Sequence, residues 1–230
     1  MTSIHVLLDL DGTISDSSPG IGRCVREAFV ACGYPEPTPD QIVDLIGPPF
    51  EITFPMLGVP ATDVERVIDA YRDRYEGGGG MFENTVYPGI GDMLEELRSA
   101  GHTISLATAK PERTAVGIID HFGFREYFTV LAGATTAVGT GRRTKGEVIA
   151  HALDMLDISH HESERHGVHV VMVGDRNHDV EGASLNQIPC IGVTWGFGSP
   201  DELLHAGAVT LVDTPGEVAA SVAATYRSGR

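Results

Sequence analysis

Lysine is almost missing from this chain: Lys110 and Lys145 are the only two in 230 residues, and every other basic side chain apart from histidine is arginine. Against 32 acidic side chains stand only 16 basic ones, a formal charge of −16 at pH 7. That charge repels nucleic-acid phosphates and anionic membrane surfaces, and no basic patch interrupts it, so neither is an expected partner. A GC-rich coding background and a saline cytoplasm both produce acidic, lysine-poor chains, and both readings stand. Cysteine is scarce as well: Cys24, Cys32 and Cys190 make neither an even disulfide framework nor a ligand-like pair, which fits a reducing compartment. No apolar run approaches the ~20 residues that a membrane-spanning helix requires. The opening MTSIHVLLDLDGT has no basic segment ahead of its apolar stretch, so no secretion signal is expected and the cytoplasm is the expected location. What remains, 42% hydrophobic and 21% charged residues, suits one domain with an insertion or two small domains. Monomer and homodimer are both compatible with it.

From residue 87 onward, short β-branched runs alternate with helical patterns, which marks successive βα units around a parallel sheet. Strands are expected over 4–10, 103–107, 128–132, 169–173, 189–193 and 209–212. Helices are expected over 89–100, 113–122, 145–156, 178–186, 200–206 and 216–228. The first strand is followed instead by some seventy residues without a clear strand signal. Helical periodicity marks 20–33, 39–46 and 62–76, with Thr62 and Glu65 spaced as a capping box. The expected class is therefore α/β: a Rossmann-like parallel-sheet core, residues 1–15 and 88–230, with a helical cap, residues 16–87, inserted after the first strand. The glycine run Gly77–Gly80 near the return to the sheet suits either a surface loop or a hinge.

Asp9-Leu10-Asp11-Gly12-Thr13 follows the apolar run HVLL. Ligands of open parallel sheets bind beyond the carboxyl ends of strands, so both carboxylates fall where chemistry is expected. Side chains alternate along a strand, which turns Asp9 and Asp11 to the same side. Two like charges so close are costly unless a cation neutralises them or one holds a proton; a divalent metal is the natural solution, and oxygen ligands at a phosphate-handling site favour Mg²⁺. Gly12 permits a tight turn whose amides can face an anion.

This DLDGT segment resembles the first motif of the haloacid dehalogenase superfamily of phosphohydrolases. The resemblance extends over essentially the whole chain. Ala107-Thr108-Ala109-Lys110 is similar to the second motif, Lys145 after Gly141-Arg142-Arg143-Thr144 to the third, and Gly174-Asp175-Arg176-Asn177-His178-Asp179 to the fourth. Both lysines fall within motifs, where a compact ammonium differs in shape from an arginine fork.

The resemblance implies a set of roles. Asp9 would attack phosphorus and become an aspartyl phosphate, while Asp11 protonates the leaving alkoxide and then deprotonates water. Mg²⁺ would be held by the Asp9 carboxylate, the Asp11 carbonyl and Asp175, with Asp179 ordering metal-bound water or Lys145. Thr108, Lys145 and the turn amides at Gly12 would stabilise the phosphoryl oxygens. Substrate contacts are expected from Gly12, Lys110, Arg23 and the Gly47-Pro48-Pro49-Phe50 loop, which resembles the cap specificity loop of phosphoglycolate phosphatase-like members.

The segments around Lys145 and Gly174–Ser199 are similar to a 5′-nucleotidase-like or phosphoglycolate phosphatase-like subgroup. There Trp195 and Phe197 could stack on a base, and loop packing would account for them as well. A dehalogenase proper needs neither Asp11 nor Asp175, and a phosphonate hydrolase needs a cap amine that the lysine-free insert lacks. A small phosphorylated metabolite is the expected substrate. A sugar-phosphate mutase or a non-catalytic phosphate sensor are the alternatives.

Overall fold

Strand β1 (Ile4–Leu8) is apolar and almost wholly buried, as a strand covered on both faces must be. In the computed structural model, which describes residues 3–135, 141–161, 165 and 167–226, β1 pairs in parallel with β4 (Thr103–Pro111) on one side and β6 (His169–Gly174) on the other. Outside these lie β5 (Phe128–Ala134), β7 (Cys190–Val193) and β8 (Thr210–Val212), giving the six-stranded order β5-β4-β1-β6-β7-β8 with every pair parallel. The chain winds outward from β1 through β4 to β5 and then returns to β6 beside β1. The carboxyl ends of β1, β4 and β6 therefore meet at the reversal of strand order, where open α/β sheets bind ligands.

Helices α5 (Ile90–Ser99), α6 (Glu112–His121), α7 (Lys145–Met155), α8 (Asn177–Leu185), α9 (Pro200–Ala206) and α10 (Val218–Thr225) connect or follow these strands. Under α7 and α8, Val148, Ile149 and Val180 close with Leu7, Ala107 and Met172 into a core cluster. The expected helix over 216–228 begins as a 3₁₀ turn, Pro215–Glu217, before α10, and its last two residues lie outside the described residues.

The first strand stops at Leu8 rather than at residue 10 because Gly12, at φ +83°, turns the chain. Conversely, β4 runs on to Pro111, four residues past its expected end, through a register shift against β5 between Thr108 and Pro111. Thr108 and Lys110 thus lie on the strand itself.

The chain divides into two compact units, Met1–Ile14 with Val86–Arg230, and Ser15–Thr85. The second unit is mainly helical: α1 (Ser18–Ala31), α2 (Pro39–Leu45), α3 (Phe50–Met56) and α4 (Val64–Arg72), the last running into a π-helical turn. Phe54 meets Phe29 edge-on and stacks on Phe50, which meets Tyr71 edge-on, and Tyr71 stacks on Tyr75. The capping box expected at Thr62 does not form. Asp63 is the N-cap of α4 without a side-chain cap bond, because its carboxylate is taken by the Tyr34 hydroxyl and Arg66. The box forms at Thr38 and Gln41 instead. Two short strands, β2 (Ser15–Asp16) and β3 (Thr85–Val86), pair where the chain enters and leaves this unit, and neither was expected. Among the described residues no helix is long and apolar enough to cross a membrane.

Candidate active site

Asp9 follows the last residue of β1, and its amide donates to the Val173 carbonyl on β6 at 3.0 Å, which fixes the backbone at the sheet's carboxyl edge. Lys145 is the first residue of α7, a start defined by the capping box of Thr144 with Glu147. Its ammonium lies 2.7 Å from Asp9 Oδ1 and 2.7 Å from Asp179 Oδ1, and donates to the Ala107 carbonyl at 3.1 Å. Asp179, in the first turn of α8, accepts from the Arg176 amide at 3.0 Å through its other oxygen. The lysine stem packs on Gly182, where a Cβ would come within 2.8 Å of Lys145 Cγ.

All three groups are buried, and their charges set one another. Burial pushes the Asp9 carboxyl up to about 7; Lys145 opposes the rise and Asp179 adds to it. Burial also works against the charge on Lys145, but the two carboxylates beside it raise its pKa above the usual lysine value. For Asp179 the same burial is outweighed by Lys145 and His178, and its pKa falls.

A second group of residues surrounds the turn. Lys110 Nζ is 2.7 Å from Asp11 Oδ2. The Lys110 amide donates to the buried Thr108 hydroxyl at 3.2 Å. Asp175 accepts from the Thr13 hydroxyl at 3.3 Å and from the Phe197 amide at 2.8 Å. Burial, followed by repulsion from Asp179 and Asp9, holds its pKa well above the usual carboxylate range. At Gly12 a Cβ would lie 2.0 Å from Asp175 Oδ2, so only glycine fits this approach.

The structure thus brings Asp9, Lys145 and Asp179 into one cluster, Lys110 onto Asp11, and Gly12 against Asp175. Gly47, Pro48 and Arg23 belong to the Ser15–Thr85 unit. Within it, Gly47 turns the chain between α2 and α3 at φ +112°, and Arg23 is held by Glu27 at 2.9 Å and Glu83 at 2.6 Å.

Sequence reasoning missed the closure of the β7 loop. A Cβ at Gly196 would lie 2.4 Å from Asp175 Cβ, and one at Gly198 would lie 2.0 Å from the Asp175 carbonyl oxygen. Trp195 donates its indole N–H to the Thr13 carbonyl at 3.1 Å. The alternate glycines in Trp195-Gly196-Phe197-Gly198 were the available signal. His178 was missed too: with Asp9 and Asp179 it offers donor atoms within 4.8 Å of one another, a group that does not include the Asp11 and Asp175 side chains.

Charge balance supplies the test for a metal. Among the described residues Lys110 pairs with Asp11 and Lys145 with both Asp9 and Asp179, so with Asp175 ionised as well the four carboxylates carry two negative charges more than the two ammoniums offset. Buried carboxylates in that state need further positive charge or protons. The donor set fits a divalent cation.

A family model for haloacid dehalogenase-like hydrolases matches residues 6–193. Tyrosine-protein kinase PtkA of Mycobacterium tuberculosis is 41% identical over 196 residues, 85% of this chain, and the chain spans 64% of that relative's length. A 5′-nucleotidase of Pseudomonas aeruginosa is 39% identical over 201 residues, covering 86% of each chain. Among solved structures, one described as a predicted phosphatase from Clostridium acetobutylicum superposes with a TM-score of 0.86 at 34% identity, over 97% of this chain and 100% of its own. With four motifs gathered at one sheet edge and the family model spanning most of its length, the chain belongs to the haloacid dehalogenase-like hydrolases.

Proposed function

We propose that this chain is a divalent-metal-dependent phosphomonoesterase, with Mg²⁺ as the metal, acting on a small phosphorylated metabolite such as phosphoglycolate or a nucleoside 5′-monophosphate. The observation that carries this reading is Asp9 itself. It is a buried carboxylate at the end of β1, with an ammonium on one oxygen and too little positive charge around it.

In the proposed reaction an Asp9 oxygen attacks phosphorus in line as the P–O ester bond breaks. The electron pair of that bond leaves with the alkoxide, which takes a proton from Asp11. Water then attacks the aspartyl phosphate, gives its proton to Asp11, and frees phosphate and Asp9. Lys145 keeps Asp9 oriented and offsets charge on the phosphoryl oxygens, beside the buried Thr108 and the Gly12 turn. Asp9, the Asp11 carbonyl and Asp175 would hold the metal, which supplies charge neutralisation at the phosphoryl group when bound.

The likeness to a protein named a tyrosine kinase favours a second reading, in which the phosphoryl group passes from Asp9 to a hydroxyl other than that of water. A sugar-phosphate mutase would share that step. The test is phosphate release, with and without Mg²⁺, from phosphoglycolate, nucleoside monophosphates and sugar phosphates, with a tyrosine-containing peptide present as an acceptor in parallel reactions. Metal-dependent release from one preferred ester, lost in a folded Asp9→Asn variant, is the expected result. An active Asp9→Asn enzyme would sink the reading, and phosphate found on the peptide or moved within a sugar would replace hydrolysis with transfer.

A further inference from the structure

Both lysines of the chain lie in this cluster, and they face different carboxylates. Lys145 stands between Asp9 and Asp179, whereas Lys110 on β4 reaches Asp11, just past the end of the neighbouring strand β1. The Lys110 and Asp11 side chains are only 5% and 14% exposed. The two oxygens of Asp11 are treated unequally. Oδ2 is paired with the ammonium at 2.7 Å, while Oδ1 is buried and makes no hydrogen bond within the described structure. A buried acceptor left unsatisfied is costly, and such atoms persist where a function uses them.

We propose that Lys110 is the positioning residue of the proton donor: by holding Oδ2 of Asp11 it leaves Oδ1 as the atom that delivers the proton to the departing alkoxide. The inference rests on the phosphomonoesterase reading. As the Asp9–phosphorus bond forms and the ester P–O bond breaks, the Oδ1–H bond of Asp11 breaks and a new O–H bond forms on the leaving oxygen. The carboxylate that remains is the one the ammonium already faces, so the charge created by proton transfer appears beside its partner and needs no reorganisation. Lys110 therefore acts through Asp11, and need not touch the phosphoryl group.

A purely structural lysine and one that orients the acid differ in how their loss depends on the leaving group. A nitrophenolate departs without a proton, and an alkoxide does not. The experiment measures kcat/KM, which reports the steps up to departure of the leaving group, for p-nitrophenyl phosphate and for a simple alkyl phosphate. Lys110→Met is expected to lose roughly 100-fold or more on the alkyl ester and under about 5-fold on the aryl ester, within the usual range of acid catalysis. Lys110→Arg, which keeps the charge, is expected to recover most of the alkyl-ester rate and carries the test if Lys110→Met does not fold.

Equal losses on both esters overturn the proposal. In an Asp11→Asn background, adding Lys110→Met is expected to change the rate by less than about 3-fold, because a residue that works through Asp11 has nothing left to position. A further loss of about tenfold or more there would place Lys110 on the substrate and overturn the proposal as well. Wild-type protein inactive on every ester would instead defeat the phosphomonoesterase reading, before any variant is compared.

Discussion

Lys145 and Arg23 each stand between two carboxylates, and the two trios differ in how much water reaches them. Lys145, with Asp9 and Asp179, is 2% exposed and lies at the carboxyl edge of the sheet. Arg23, with Glu27 and Glu83, is 37% exposed on a helix of the other unit. Drawn as charges the trios are alike. In the first, burial raises the pKa of Asp9, Lys145 and His178 lower that of Asp179 only against its own desolvation cost, and every charge depends on the others. In the second, solvent screens each pair, and the arginine's length and fork geometry hold two partners at once without any group becoming indispensable. What separates a reactive cluster from a surface one is how completely it is desolvated, which ion-pair geometry alone does not reveal.

The largest effect expected from this contrast comes from Lys145→Met. Removing the ammonium leaves Asp9 and Asp179 facing each other in a dry site, a loss of about 3–5 kcal/mol by the usual cost of breaking a buried pair from one side. For a chain of this size, that lowers Tm by roughly 10 °C, and thermal unfolding in metal-free buffer measures it. Added divalent cation is expected to restore part of the loss by supplying charge to Asp9. A Tm unchanged by Lys145→Met would mean that the carboxylates take up protons at no cost, and the contrast between the trios would collapse.

A pH-dependent effect sharpens the same point from the side of Asp9. Its carboxyl titrates at about 7 in the fold against 3.8 unfolded. Between these values the folded chain binds the extra proton, so Asp9 contributes a stability that is present below about 4 and is progressively lost as pH rises through about 7. Asn cannot ionise. The stability of Asp9→Asn relative to wild type is therefore expected to climb as pH rises from about 4 to about 7 and then level off, in the absence of metal. Using the difference between the two proteins cancels the opposing slope from His5, His102 and His178, whose pKa values burial lowers. A flat difference would show that Lys145 already keeps Asp9 ionised over the whole range.

How far such a site can be read beforehand depends on how local its causes are. The apolar HVLL followed by two aspartates and a glycine is a local pattern, and the placement of Asp9 at a strand end follows from it; the parallel α/β core follows from the alternation of β-branched runs and helical patterns after residue 87. The pairing of Lys110 with Asp11 was not legible, because it depends on β4 running through a register shift to Pro111, and that shift is decided by β5. Gly196 and Gly198 announce a turn, but their reason is Asp175, which reaches them only through the packed sheet. Helix α3 was missed since its seven residues contain Pro55 and span too few turns for a period to show. Thr62 and Glu65 have the spacing of a cap, yet Tyr34 and Arg66 bind Asp63 and the helix starts there. For Lys110, Gly196 and Gly198 the deciding partner lies outside the window in which the signal is read.

The smallest effect belongs to the exposed trio. Arg23→Ala removes contacts to Glu27 and Glu83, but both carboxylates remain in solvent, and exposed pairs contribute little once side-chain ordering is set against them. The Tm is expected to fall by no more than about 3 °C, and less in high salt, where screening weakens such pairs in the parent as well. The same variant examines the substrate contact expected of Arg23, because the two roles separate in kinetics. An arginine that only bridges Glu27 and Glu83 leaves KM unchanged, whereas one that leaves them to grip an anionic substrate raises KM while the aryl-ester chemistry at Asp9 keeps its kcat. A Tm drop as large as that of Lys145→Met would show that desolvation is not what distinguishes the two trios. A raised KM with the Tm held would instead give the exposed trio a function that its burial does not disclose.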